Sequence, residues 1–356
     1  MKKILFIIQY DSFINTLIPV INKLNENNFE IEIILLKSKF YKKNWISNEI
    51  LRLFDNIKNN THSFEILSIY KTLKKVAENE YKTIIIGTTY SKLINKINLI
   101  LKKNNLNSKL VSGYVGALLN NKPDVFITGL KRRSHSHLIW TPGLDSKELI
   151  LKTGIINIKN TKVIDTGLPR FDKLYLIKDE IKSLDKNNIV FFEQPTFPKS
   201  KLERTYLVEK LIALAYKNPN NNLIIKPRFS SKIGHAHTPK YLIQEILSKI
   251  KNKPKNIFIS DEHIYELFKE CKLALTISST AGIESLLVNI PTLFINDFCN
   301  NINKYGSEDF KKFNATISFD NLLSNKLPKI DFKNITNILR FDGKNTERLT
   351  QEILNI

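Results

Sequence analysis

The chain has 356 residues, beyond the size at which a single hydrophobic core stops growing, so two domains are predicted. Its composition, 42% hydrophobic and 25% charged with only 11 Gly and 12 Pro, fits a globular protein and argues against a disordered chain. Fifty-five Lys and Arg against 34 Asp and Glu leave a formal charge of +21, which attracts nucleic acid, anionic lipid or a phosphorylated small molecule.

The opening Met1–Asp11 has two lysines and a short apolar run, but the run ends at Ile8 and no small-residue cleavage site follows, so it reads as a first strand. Further apolar runs at Glu30–Leu36, Thr83–Gly87, Ser108–Ser112, Asp124–Thr128 and Lys162–Thr166 predict strands after the first at Ile4–Gln9, with helices such as Phe13–Glu26 and Tyr90–Lys103 between them. Near-continuous apolar strands such as Thr83–Gly87 are those of a parallel sheet covered on both faces. Ligands in such sheets bind beyond the carboxyl ends of the strands, and the loops there carry the candidate residues. Asp11 follows the first strand and is a candidate general base, or equally an N-cap for the next helix. In Ser112–Gly116, Gly113 and Tyr114 suit close contact with a substrate or an ordinary strand-to-helix turn. Lys131–His137 is the densest basic loop. Arg132 and Arg133 there suit an anion, and His135 or His137 is a second base candidate, unless the loop is simply solvated. Two His at i and i+2 without nearby Cys are a weak metal signal, and no metal is expected.

A charged, strand-free stretch, Phe171–Asn187, marks the seam between the halves. The second half repeats the pattern, with strands at Asn188–Glu193, Asn222–Lys226, Asn256–Ser260, Leu273–Ser278 and Pro291–Asn296 and helices near Leu202–Lys217, Pro239–Lys251, Glu262–Cys271 and Ala281–Val288. The fold class predicted is α/β, two Rossmann-like doubly wound domains facing a cleft. The boundaries are 1–172 for an acceptor domain, 173–187 for a linker, 188–336 for a nucleotide-sugar domain, and 337–356 for a C-terminal helix packing back on the first domain.

The richest segment is Leu273–Glu284, where an apolar strand ends in Ser278, Ser279 and Thr280 and a helix begins. Helix-start N–H groups and three hydroxyls suit a phosphate, with Gly282 allowing close approach. A plain N-cap accounts for the same residues. Lys226-Pro227-Arg228, at another strand end, and His235 and His237 beyond it suit a highly charged anion or a solvated surface loop. Gln194 offers hydrogen bonds after the first strand of this domain, and Ser260 follows the third, either at a nucleotide or as a cap. Cys271 and Cys299, without metal-like spacing, are expected to be free thiols in a reducing cytoplasm. The chain lacks a Gly-x-Ser-x-Gly elbow, a Walker A loop and a Gly-x-Gly-x-x-Gly after its first strand, which disfavours ordinary α/β-hydrolases, P-loop NTPases and dinucleotide dehydrogenases. With no RNP strand, zinc finger or basic zipper, no specific nucleic-acid partner is expected.

Gln194-Pro195 with Pro198 and Arg204, Lys226-Pro227-Arg228, Thr280-Ala281-Gly282-Ile283-Glu284 and Thr166-Gly167-Leu168-Pro169-Arg170-Phe171-Asp172 together give the chain its resemblance to bacterial GT-B glycosyltransferases of surface-polysaccharide synthesis, including sialyl- and pseudaminyltransferase-like enzymes. The last segment is similar to a Gly-x-Pro-Arg-x-Asp segment of glycerophosphotransferases. Ser278-Ser279 is similar to the Ser-Ser that holds the phosphate of a CMP-sugar in bacterial sialyltransferases, whereas Lys226-Pro227 stands where those enzymes have His-Pro. The resemblance implies transfer of a sugar, a nonulosonic acid on CMP, to a glycan or lipid-linked acceptor, without a cofactor or a metal. Glu284 would then accept from ribose hydroxyls. A polyol-phosphate transferase, a nucleotide-sugar epimerase and a non-catalytic anion-binding protein are the alternatives. A cytoplasmic enzyme held by its basic loops at the anionic inner membrane surface is expected.

Overall fold

The computed structural model describes residues 3–37, 61–116, 123–183, 186–194, 197–228, 240–298, 310–311, 313–333 and 335–356. They form two compact units, Met1–Tyr175 with Thr336–Ile356 and Leu176–Ile335. Each is built on one wholly parallel sheet, and the full chain has an α/β fold of the GT-B type.

In the first unit the strands are β1 (Lys3–Ile8), β2 (Glu30–Leu36), β3 (Ser63–Leu67), β4 (Thr83–Gly87), β5 (Lys109–Gly113), β6 (Leu138–Thr141) and β7 (Lys162–Asp165), in the order β3-β2-β1-β4-β5-β6-β7. The helices are α1 (Asp11–Glu26), α2 (Ile69–Glu78), α3 (Lys92–Lys103), α4 (Pro123–Arg133), α5 (Leu144–Lys152) and α6 (Phe171–Leu176), to which the end of the chain adds α13 (Ile335–Ile338) and α14 (Asn345–Leu354). Alternation along the strands divides the core. Ile4, Phe6 and Ile8 pack with α1 and with Leu349 and Ile353 of α14, while Leu5 and Ile7 pack with Leu93, Ile94 and Ile97 of α3. A carboxylate interrupts the apolar run of β2, and it is tightly paired. Glu32 is bonded by Lys3 at 2.6 Å, Lys75 at 3.1 Å and the Tyr81 hydroxyl at 2.9 Å. Burial works against its charge, but these donors win and hold its carboxyl below the usual range.

In the second unit β8 (Asn188–Phe192), β9 (Asn222–Lys226), β10 (Ile257–Ile259), β11 (Cys271–Thr276), β12 (Thr292–Ile295) and β13 (Thr316–Ile317) run in the order β10-β9-β8-β11-β12-β13. The helices α7 (Lys178–Ser183), α8 (Lys201–Lys217), α9 (Ile243–Ser248), α10 (Ile264–Lys269), α11 (Thr280–Leu287) and α12 (Phe319–Leu323) accompany them. Helix α8 opens with a capping box in which Ser200 and Glu203 satisfy each other's backbone N–H groups, and its Leu207, Val208 and Leu211 lie in the core beside β8 and β9.

One sequence expectation changes here, and two elements come as additions. Asp124–Thr128 is not a strand, because it lies inside α4, and the next strand is Leu138–Thr141. A run as short as Val125-Phe126-Ile127 satisfies either period, and only packing decides it. The edge strand β3 and helix α2 also went unread, β3 because its Ser63-Phe64-Glu65 start is mixed and only half-buried.

Candidate active site

Strand order reverses once in each sheet, between β1 and β4 in the first and between β8 and β11 in the second. At such a reversal the loops leave the carboxyl edge in opposite directions and open a crevice.

In the second unit the crevice is held by hydroxyls. Thr276, the last residue of β11, donates its Oγ1–H to the Phe192 carbonyl at 2.8 Å and accepts the Ser279 N–H at 3.1 Å. Ser279 is the N-cap of α11, its Oγ accepting the Ala281 N–H at 3.3 Å. Ser278 Oγ donates to Gln194 Oε1 at the end of β8, closing the reversal point with a direct bond. Thr280 is exposed, whereas the rest of α11 is buried. A Cβ on Gly282 would stand 2.8 Å from both the Phe294 ring and Thr276 Cγ2, so glycine is required for α11 to press onto β11 and β12. The helix start is thus capped by protein hydroxyls and still offers Ser278, Ser279 and Thr280 at the surface. Glu284, 7% exposed, lies within the packed helix.

The neighbouring strand ends lie along the same edge. Lys226 closes β9, half-buried, and its carbonyl accepts the Glu193 N–H at 3.0 Å, while Arg228, two residues on, is exposed. Ser260 follows β10, donates its backbone N–H to Ile225 O at 3.1 Å and accepts the Glu262 N–H on Oγ at 3.1 Å, a capping use of the hydroxyl. Beneath these loops is an ion pair that sequence reasoning did not assemble. Glu193, 4% exposed, meets Arg204 of α8, 1% exposed, at 2.5 Å. Arg204 also donates from Nε to Pro198 O at 2.9 Å and from NH2 to Gln194 O at 3.1 Å, and the Arg228 backbone N–H bonds the Glu193 carboxylate. Burial pushes the Glu193 carboxyl up, and the adjacent guanidinium opposes it. One pair therefore ties the β8 loop to the β9 loop and sets where Gln194 and Arg228 stand. The available signal was a buried-strand Glu eleven residues before an Arg on the apolar side of a helix. On the flank of α8 a cavity of about 430 Å³ is lined by Thr205, Tyr206, Glu209, Asp297 and Phe298 among others.

In the first unit the reversal carries a matching bond, the Thr88 Oγ1–H donating to Gln9 Oε1 at 2.7 Å. Tyr10 takes φ 73° and ψ 145°, a conformation that side chains strongly disfavour, and its carbonyl accepts the Ile14 N–H as α1 begins. Asp11 is the first residue of α1, and its side chain lies outside the described residues. Gly113 is a packing glycine, since a Cβ there would lie 2.2 Å from the Trp140 ring. Tyr114 follows it at the carboxyl edge, where the Arg133 guanidinium lies 4.4 Å above its ring. Arg132 reaches Ser91 Oγ at 3.2 Å.

The two base candidates of the basic loop are not brought to this edge. Because 123–133 is a helix, 134–137 leads into the amino end of β6. His137 accepts the Leu110 N–H on Nδ1 at 3.0 Å, donates its backbone N–H to Leu110 O at 2.8 Å, and has its imidazole pushed toward neutrality by burial and by Lys109. It extends the pairing of β5 with β6. His135 is exposed beside it. His235 and His237 lie outside the described residues. Among the described residues no group of three or more His, Cys, Asp or Glu side chains is placed to hold a metal, and no helix is long and apolar enough to cross a membrane.

The segment Thr166–Asp172 ends just before the boundary of the two units and packs on the end of the chain. Asp172 accepts the backbone N–H groups of Asn345 at 3.0 Å and Thr346 at 2.7 Å, at the start of α14. Asn345 donates to Leu168 O at 3.2 Å, and Gly167, at φ 77°, lies so close to Asn345 that a Cβ would stand 2.1 Å from its Oδ1. The segment is the socket of the C-terminal helix.

Residues 4–331 match the family described as "Putative glycosyltransferase (DUF6716)", and the chain belongs to that family. No curated protein matches the sequence. Among solved structures the fold is similar to the UDP-GlcNAc 2-epimerase of Methanocaldococcus jannaschii, at TM-score 0.65 and 16% identity over 99% of this chain and 100% of that one. It is also similar to S. aureus MnaA in a structure with UDP, at TM-score 0.64 and 14% identity over 100% and 97%. A third likeness is to Anabaena Alr3699/HepE in complex with UDP and glucose, at TM-score 0.56 and 13% identity over the whole of both chains.

Proposed function

We propose that this protein transfers a sugar from a nucleotide-activated donor to a hydroxyl of a glycan or lipid-linked acceptor. The observation that carries the reading is the carboxyl edge of the second sheet, where Ser278 and Ser279 at the start of α11 stand on the same edge as Lys226 and Arg228. Helix-start dipoles, hydroxyl donors and two cations answer the charge of a leaving nucleotide. In the reaction the acceptor oxygen bonds to the anomeric carbon as the bond to the donor phosphate breaks, the electron pair leaving with the nucleotide and the acceptor proton passing to a base. Asp11, at the carboxyl end of β1, takes the base role in this reading. His135 and His137 do not, given their edge. Gln194 and Ser260 flank the nucleotide, and Glu284 is its ribose acceptor.

For the nucleotide itself, two supports favour a UDP-linked donor. Lys226 stands where CMP-sugar transferases have His, and proteins of similar fold are described with UDP or UDP-glucose. The Ser278-Ser279 pair supports a second reading, a CMP-linked nonulosonic acid. A thermal-shift panel of UDP, CMP, GDP and CDP separates the two, because a ligand that binds the folded state raises its midpoint by mass action. UDP is expected to raise it most. The reading fails if no nucleotide raises it, or if Ser278→Ala and Lys226→Ala leave the response unchanged. An epimerase would turn over a UDP-sugar with no acceptor present, whereas the transferase requires one.

A further inference from the structure

The first sheet has at its own carboxyl edge a buried cation that nothing above employs. Arg133 is 5% exposed. Helical side chains lean toward the helix start, so although Arg133 ends α4 its guanidinium reaches back to the edge where β4 and β5 finish. There it lies 4.4 Å over the Tyr114 ring and makes two long bonds, NH1 to Gly129 O and NH2 to Thr88 O, each at 3.4 Å. Its Nε is buried with no hydrogen-bond partner among the described residues, and the buried Tyr114 hydroxyl faces the guanidinium itself. None of its contacts among the described residues is anionic.

Arg204 provides the internal comparison. Equally buried, it meets a carboxylate at 2.5 Å and two carbonyls at 2.9 and 3.1 Å. A guanidinium cannot shed its charge to escape the cost of burial, so a protein either pairs it or uses it. Around Arg133 the described residues supply two long carbonyl acceptors, the ring and neutral hydroxyl of Tyr114 and, one residue away, a second cation in Arg132, whose NH1 is 3.2 Å from Ser91 Oγ. The planar fork of Arg, with a phenolic O–H beside it, matches the two oxygens of a carboxylate or phosphate.

We infer that the carboxyl edge of the first sheet is an anion receptor, in which Arg133 and Tyr114, with Arg132 beside them, take a carboxylate or phosphate group of the substrate held by this unit. The inference rests on the transferase reading only for which molecule brings the anion. A phosphate would come from a lipid-linked acceptor, and a carboxylate from an acidic sugar.

Hydrogen exchange read by mass spectrometry on the full chain tests this with two probes, inorganic phosphate and glucuronate. At least one is expected to slow exchange at 86–91, 111–116 and 126–133, phosphate pointing to the first source and glucuronate to the second. Arg133→Gln is expected to weaken that protection about tenfold or more, and Tyr114→Phe, which keeps the ring, several-fold. If Arg133→Gln does not fold, Tyr114→Phe and Arg132→Gln decide the matter. The inference is overturned if neither probe protects these segments in the unaltered protein, or if the folded variants respond as it does, which would leave Arg133 a packing role only. UDP protection at 278–284 is read in the same samples. Its loss with the anion response retained removes the nucleotide reading and leaves this one, and the reverse pattern removes only the receptor.

Discussion

Ser278, Thr276 and Gly282 show how little chemistry separates a capped helix from a binding site. The hydroxyl of Thr276 is consumed in joining β8 to β11, Ser279 accepts a cap bond but keeps its O–H to donate, and Ser278 is bonded to a neutral amide, Gln194, that can yield it to a ligand. Ser278→Ala is therefore expected to weaken nucleotide binding about tenfold, the worth of one charge-assisted bond, with little change in the melting point without ligand. Calorimetric titration measures it. Gly282→Ala should instead destabilise the fold by about 1–3 kcal/mol, because the added methyl meets Phe294 and Thr276. Asparagine has an unexpected use at this scale. With few glycines available, Asn28, Asn105, Asn289, Asn314 and Asn325 take the left-handed conformation, four of them just past helix ends. Asparagine here performs the work of C-terminal glycines. Glu32 sets an acid-side prediction. Its carboxyl is held below its unfolded value, so it stabilises the fold fully above that value and loses the effect as pH falls through its folded one. Glu32→Gln should flatten the fall of melting temperature with acid, seen in melts across about pH 3–6.

Elements are positioned by a small number of buried joints. The pair Glu193–Arg204 fastens the β8 loop to α8, and deleting one partner leaves the other charge buried and alone. Arg204→Met is expected to cost about 3–5 kcal/mol, measured by denaturant unfolding, and to weaken nucleotide binding with it. The C-terminal helix has its own joint. Asp172 caps two N–H groups of α14, while Arg340 bonds Asp165 at 2.8 Å and Arg348 bonds Asp342 at 2.5 Å nearby. Asp172→Ala should cost about 1–2 kcal/mol and speed amide exchange selectively over 345–354. A motif that resembles a transferase signature therefore acts in this chain through the packing of its last helix. The buried thiol of Cys271, pushed up to about 12 by burial, belongs to the same class of structural residue.

At the scale of the molecule the formal charge of +21 is the dominant field. If the basic surface holds the protein at anionic bilayers, it should co-sediment with vesicles of phosphatidylglycerol and phosphatidylcholine at low salt and leave them as salt rises. Absence of sedimentation at any salt would reject the idea. Two doubly wound sheets were legible in the sequence because a parallel strand buried on both faces has to be apolar throughout, as β1, β2 and β4 nearly are, and because amphipathic helices recur between them. The residues at the β8, β9 and β11 ends were legible for the same reason, each following an apolar run. The position of the basic loop was not. In an alternating α/β chain every loop after a strand leaves at the carboxyl edge and every loop after a helix at the amino edge, so reading 124–128 as strand instead of helix moved His135 and His137 to the wrong side of the sheet.

Local pattern thus determines element type and which loops carry polar chemistry, since side-chain period and turn residues act over a few neighbours. Tertiary structure alone decides that Glu193 finds Arg204, that Asp172 finds the start of α14, and that Arg133 is buried with no carboxylate of the described residues beside it. Those outcomes depend on which distant segments share an edge and on how far burial strips a charge of water, and no window of sequence contains either.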